Sequence, residues 1–257
     1  MTLSPPLTTD TLCEISSPIA DKKIDDGGST VLHAPLPHFR LIKTHYPHFY
    51  HKRGHENEPV YYEKPGQMNL DALKAQGVTM DDLTRSYMFM TEFLWQVVEP
   101  PPPTTTTNTG NRSLRSISVV DAAGIGFFSF NSEAIDYLRK VSAFQKQRYP
   151  GRCGYIFIVN VPSWFDMVWR VVQGLVDPGI RKKITIVSAD EDLLAALTRR
   201  IPLENIPREY GGLSDGLSYE EVALRALADF NNNEPGSSNP LVAWATQEIL
   251  VAPMSTT

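Results

Sequence analysis

Three histidines, His48, His51 and His55, sit three and four residues apart, inside a stretch that holds all six histidines of the chain. Neutral imidazoles so spaced are common metal ligands. A structural site would also want cysteine or interleaved carboxylates. Here the segment has no Cys, and Glu56 and Glu58 follow the cluster instead of alternating with it. The pattern does not carry a metal. Covalent chemistry has less to offer. The chain lacks a Gly-x-Ser-x-Gly elbow, a His-Glu-x-x-His helix and a Gly-x-Gly-x-x-Gly turn, and no Lys-Ser/Thr follows the glycines of Asp121-Ala122-Ala123-Gly124-Ile125-Gly126 to make a phosphate loop. The chain reads as a binding protein, neither an enzyme nor a carrier of a cofactor.

The most pronounced pattern is apolar. Residues 155–159 (YIFIV) suit a strand buried on both faces, which Pro162 ends by removing a donor. Ser163, with Asp166 three positions on, opens a helix over residues 164–176. Its polar side chains are Asp166, Arg170 and Gln173, on one narrow stripe. The remaining surface carries Trp164, Phe165, Met167, Val168, Trp169, Val171, Val172, Leu175 and Val176. A helix this apolar is either a central core helix or faces another apolar body.

Other elements must position this helix. Thr79 and Asp82 cap a helix to about residue 98, with Leu83, Tyr87, Met90, Leu94, Val97 and Val98 on its inner face. Residues 117–120 and 184–187 read as further buried strands. Residues 131–147 and 192–200 read as helices, the former with Ile135, Leu138, Val141 and Phe144 turned inward. Strand alternating with helix implies right-handed crossovers and a mostly parallel sheet, an α/β fold. Residues 1–37, rich in Ser, Thr, Pro, Asp and Gly, read as a disordered lead, and 100–111 as an exposed Pro/Thr insertion. Ser218 with Glu221 opens one more helix, and residues 241–251 form another within a C-terminal segment from 214.

The 257 residues suffice for one generous domain, and 42% hydrophobic with 21% charged residues is an ordinary globular composition. A net charge of −5 and a pI near 5.7 argue against nucleic acid as a partner. Arg181-Lys182-Lys183 and Arg199-Arg200 are local basic bunches that suit a solvated face or an anionic surface. Cys13 and Cys153 alone make no disulfide framework. Without a signal sequence at the start or a long apolar run, the expectation is a cytoplasmic monomer.

Several landmarks occur in one order: Tyr149-Pro150-x-Arg152-x-Gly154, an apolar strand, Asn160-x-Pro162, the Trp/Phe-rich helix, Asp177-Pro178, Lys182-Lys183-Ile184, Ile201-Pro202, Asn205-Ile206-Pro207 and Tyr210-Gly211-Gly212. In these the chain resembles the CRAL-TRIO lipid-binding family, and most nearly its fungal-type phosphatidylinositol/phosphatidylcholine transfer proteins. The resemblance spans about residues 38–213. It implies an apolar lipid cavity closed by a gate helix, here residues 164–176, with Trp164, Phe165, Met167, Val168, Trp169, Val172 and Leu175 lining it. The small helical lobe preceding this domain in the family is expected to be absent here. The partners implied are a phospholipid and, transiently, a membrane surface.

The resemblance also implies which side chains meet the headgroup. Positions that contact phosphatidylcholine fall on Tyr50, Tyr61, Ser116 and Ser118, and all four keep a hydroxyl. Of the inositol-binding positions, Arg152 and Lys183 are kept, while Gly151 and Ile180 stand where a glutamate and a threonine would be. The expectation is therefore phosphatidylcholine binding and transfer, with phosphatidylinositol disfavoured. Two other readings remain open: a carrier of another hydrophobe such as a tocopherol or retinoid, and a lipid-sensing interaction module.

Overall fold

The computed structural model describes residues 31–99, 113–126, 131–174, 176–188 and 191–233. The expected segments 1–30 of the lead, the 100–111 insertion, Leu175 and the helix over 241–251 lie outside them. Five strands form one sheet in chain order: β1 (His48–Arg53), β2 (Pro59–Glu63), β3 (Ser116–Asp121), β4 (Cys153–Val161) and β5 (Ile184–Ser188). β1 and β2 are an antiparallel hairpin turned over Gly54 and Asn57. The pairs β2–β3, β3–β4 and β4–β5 are all parallel.

Parallel neighbours need long crossovers, and helices supply them. Preceding β1 is α1 (Phe39–His45), which buries Phe39 and Ile42. Between β2 and β3 run α2 (Leu70–Ala75) and α3 (Met80–Phe93). The start of α3 is the capping box expected from Thr79 and Asp82: Thr79 Oγ1 accepts from the Asp82 N–H at 3.1 Å, and the Asp82 carboxylate accepts from the Thr79 N–H at 2.9 Å. The helix continues as a wider π turn over Leu94–Val98, which buries Leu94, Trp95 and Val98. Then α4 (Ser132–Arg148) joins β3 to β4, capped by Asn131 on the Ala134 N–H at 3.0 Å. Helices α5 (Phe165–Val172) and α6 (Pro178–Arg181) join β4 to β5. Beyond the sheet lie α7 (Leu193–Thr198) and α8 (Tyr219–Asn233).

The two faces of the sheet differ. Ile117, Val119, Phe157, Val159 and Val187 point to one face and are at most 3% exposed, packed under Leu197, Ile201 and Ile206. On the other face Ser116, Ser118, Val120, Ile156, Ile158, Ile184 and Ile186 are all half-buried. The expectation that β4 is buried on both faces is thus corrected. From Ile156 to Val161 its residues alternate between a sealed side and a half-open one; α7 lies along the first, and among the described residues the second is covered at its margins. At the β1–β2 margin, Tyr50 and Tyr61 pack with Phe89, Met90, Phe93, Leu224 and Leu227 of α3 and α8. At the other margin, Phe165 and Trp169 of α5 pack with Ile158 and Ile186.

Candidate functional site

The half-open face has an order that strand register imposes. Tyr50 pairs with Tyr61, Tyr61 with Ser118, Ser118 with Ile156 and Ile156 with Ile184. One row of side chains therefore crosses all five strands. His48, Glu63, Val120, Ile158 and Ile186 make the adjacent row by the same pairing. The first row is polar on β1, β2 and β3 and the second on β1 and β2 only, with Val120 on β3; both end in isoleucines on β4 and β5. Residues two apart on a strand share a face, so Ser116 adds a second hydroxyl beside Ser118.

The tyrosines are held firmly. Tyr50 is 5% exposed, donates its hydroxyl to the Met90 carbonyl at 3.1 Å, and sets its ring 5.3 Å from that of Tyr61. Burial pushes both phenols well above their ordinary range, so both are neutral hydroxyl groups. Glu63 accepts a short hydrogen bond from the Tyr46 hydroxyl, and its burial raises its carboxyl to about 7. Beside it, His48 Nδ1 is 2.7 Å from the Tyr46 carbonyl, and burial lowers this imidazole well below its usual value. The ring is therefore neutral, with Nδ1–H donating to the carbonyl and Nε2 left as an acceptor.

The two cations implied for a headgroup are engaged inside the protein. The Arg152 guanidinium lies 4.7 Å over the Trp95 ring. Lys183 Nζ donates to the Cys153 carbonyl at 2.7 Å, tying β5 to the start of β4. Ser116 is close by, its N–H on the Arg152 carbonyl at 2.9 Å. So Ser116, Arg152 and Lys183 gather at the starts of β3, β4 and β5, one step from the row that holds Tyr50, Tyr61 and Ser118. Gly151 has φ of +78°, a left-handed turn conformation that a glutamate would adopt only with strain, and a Cβ there would meet nothing within 4 Å. The turn itself, with the Arg152 N–H on the Tyr149 carbonyl at 3.2 Å, explains glycine at this position.

On α5, Phe165 and Val168 are buried and Trp169 half-buried, its ring stacked on Phe165 at 6.3 Å. Met167 is 59% exposed, and Val172 and Trp164 are half-buried. The histidines do not converge. His51 Nε2 is 2.8 Å from Ser214 Oγ, and His55 Nε2 is 3.0 Å from the Thr198 carbonyl. Sequence reasoning missed Glu63, and took His48 only as a possible ligand. The alternation His48/Tyr50 and Tyr61/Glu63 on paired strands was the signal that could have found them.

A family model described as the CRAL/TRIO domain matches residues 43–212. The chain is 29% identical over 178 residues to a protein of Candida glabrata named "SEC14 cytosolic factor", covering 68% of this chain and 56% of that one. It is 26% identical over 172 residues to an Arabidopsis thaliana "Phosphatidylinositol/phosphatidylcholine transfer protein SFH7", covering 67% of this chain and 30% of that one. The chain thus spans about half the length of the first of these relatives and less of the second. The solved structure of Sfh5 superposes with a TM-score of 0.52 at 18% identity, over 82% of this chain and 65% of that one, a likeness of fold. Among the described residues no helix is long and apolar enough to cross a membrane. By its matched family model, the chain belongs to the CRAL/TRIO domain family.

Proposed function

We propose that this protein binds one phospholipid against the half-open face of its sheet and transfers it between membranes. The observation that carries the reading is the row Tyr50, Tyr61, Ser118, Ile156, Ile184, which passes from hydroxyls to bare hydrocarbon across five strands in register. A phospholipid has the same polarity along its length. Its two acyl chains hold about thirty methylenes, whose exposure to water costs on the order of 20–25 kcal/mol at ~0.8 each. A carrier has to replace that burial. Ile156, Ile158, Ile184 and Ile186 offer an apolar floor, with α5 as the movable cover. Opening it at a membrane costs little, since Phe165 and Trp169 pass from one apolar surface to another and the exposed Met167 leaves water for the bilayer.

The resemblance of the headgroup positions favours phosphatidylcholine over phosphatidylinositol. Ser116 and Ser118 supply hydroxyl donors suited to a phosphate. Gly151 offers no acceptor for inositol hydroxyls, and the local turn keeps it glycine. In the family reading the protein works in the cytoplasm and touches membranes transiently.

The test is native mass spectrometry with lipid extraction after incubation with vesicles of phosphatidylcholine and phosphatidylinositol. A phosphatidylcholine complex near one-to-one is expected. Ser118→Ala, which removes the donor without adding bulk, should lower uptake about tenfold. Tighter phosphatidylinositol binding would overturn the headgroup assignment, and a protein that takes up neither lipid would overturn the carrier reading.

A further inference from the structure

A small, partly open space of about 10 Å³ lies at the polar end of the rows, lined among others by His48, Tyr61, Ser86, Tyr87, Met90 and Tyr137. Two of its polar atoms, His48 Nε2 and Ser86 Oγ, are fully buried and have no hydrogen-bond partner. His48 is 3% and Ser86 2% exposed. Buried polar atoms in folded proteins are almost always partnered, so two orphans on one cavity mark a place for an occupant. The chemistry of the occupant is constrained. Because Nδ1–H is committed to the Tyr46 carbonyl, Nε2 is an acceptor and needs a donor. Next along the sheet is the Glu63 carboxylate, also an acceptor and already bonded by the Tyr46 hydroxyl. Space of this size admits about one water-sized group.

We propose that this cavity receives the hydrogen-bond-donating end of a phospholipid headgroup, so that the protein prefers an ethanolamine-type lipid to a choline-type one. The inference rests on the phospholipid reading above. Tyr61 belongs to both places: it lines the cavity and stands in register beside Ser118 on the open face. His48 stands in the neighbouring row, diagonal to Tyr61, so the substituent of a phosphate held at Ser118 would cross Tyr61 obliquely to reach it. A primary ammonium carries three donors and is close to a water molecule in size. A trimethylammonium carries none and is several times larger. The acceptor at Nε2 would be satisfied by the first and left buried and unpaired by the second, the arrangement by which sites reject an analogue lacking a donor.

The experiment offers the full chain vesicles of phosphatidylethanolamine and phosphatidylcholine in equal amounts and quantifies the bound lipids by extraction and mass spectrometry. Phosphatidylethanolamine is expected to dominate by about tenfold, the value of one such hydrogen bond. His48→Phe, similar in size and unable to accept, should bring the ratio to near one. Ser86→Ala, a small change within α3, should lower the ratio with less risk to the fold, and thermal unfolding checks both variants. Equal binding of the two lipids, with variants that alter stability but not the ratio, would mean the cavity holds a water only and would overturn the inference while leaving the carrier reading intact. Failure to take up either lipid would overturn both.

Discussion

Glu221 takes the backbone N–H of Tyr50 onto its carboxylate at 3.1 Å, while Ser218 donates to the carbonyl of the same residue at 3.0 Å. β1 is an edge strand, and these two side chains at the start of α8 occupy the outward backbone groups of Tyr50 that would otherwise face no strand. The Ser218/Glu221 spacing predicts a capping box. Half of it forms, with the Glu221 N–H donating to Ser218 Oγ at 3.4 Å, while the Glu221 carboxylate crosses to β1 and also meets Lys43 at 2.7 Å and Arg225 at 2.9 Å.

Glu221 and Lys43 are both buried, and burial brings the Lys43 ammonium down to about 8 even with its partner in place. Removing one member of such a pair leaves an uncompensated charge. Glu221→Ala is expected to lower stability by about 3–5 kcal/mol in urea titration. Adding Lys43→Met should restore much of the loss. A single variant as stable as the wild type would show that α8 is held by its apolar face alone.

Glu63 makes a distinct contribution to pH dependence. Its carboxyl is raised from 4.5 to about 7 by burial, so between those values the folded protein binds more protons than the unfolded chain. Stability from this group is complete at low pH and falls as pH rises through about 7. His48, lowered below 6.5, acts in the opposite sense over part of the same range, and Tyr87 and Tyr137 stay neutral throughout. Glu63→Gln, which can still accept from Tyr46, isolates the effect. The variant should gain stability relative to wild type as pH rises from 4.5 to 7 in thermal unfolding, and a constant difference would refute it.

Met167, 59% exposed on α5, can be changed without disturbing the core. Met167→Glu is expected to change folding stability by less than about 0.5 kcal/mol. A charge there opposes entry into a bilayer, so lipid transfer between vesicles should drop about tenfold. Unchanged transfer would remove α5 from the membrane-facing role.

The strands and helices were legible because their signals are local. The Thr79 capping box, the Asn131 cap and the apolar runs of β3, β4 and β5 depend on neighbours within a turn or a pleat. The register was not. Nothing near Tyr61 says that it stands beside Ser118, fifty-odd residues away across α2 and α3, and this pairing is what turns scattered hydroxyls into a row. Arg152 and Lys183 illustrate the reverse. Their residue types suit an anion, yet a tryptophan ring and a backbone carbonyl engage them, partners that only packing reveals.

The alternation along β4, with Phe157 and Val159 sealed and Ile156 and Ile158 half-open, separates two selective pressures that share one strand. Substitutions on the sealed side act on folding. Under the carrier proposal, substitutions on the open side act on the cargo. On that proposal, exchanging every second residue of the central strands would change the cargo while the intervening residues keep the scaffold intact. Diversification of ligands within one architecture follows from the period of a β-strand.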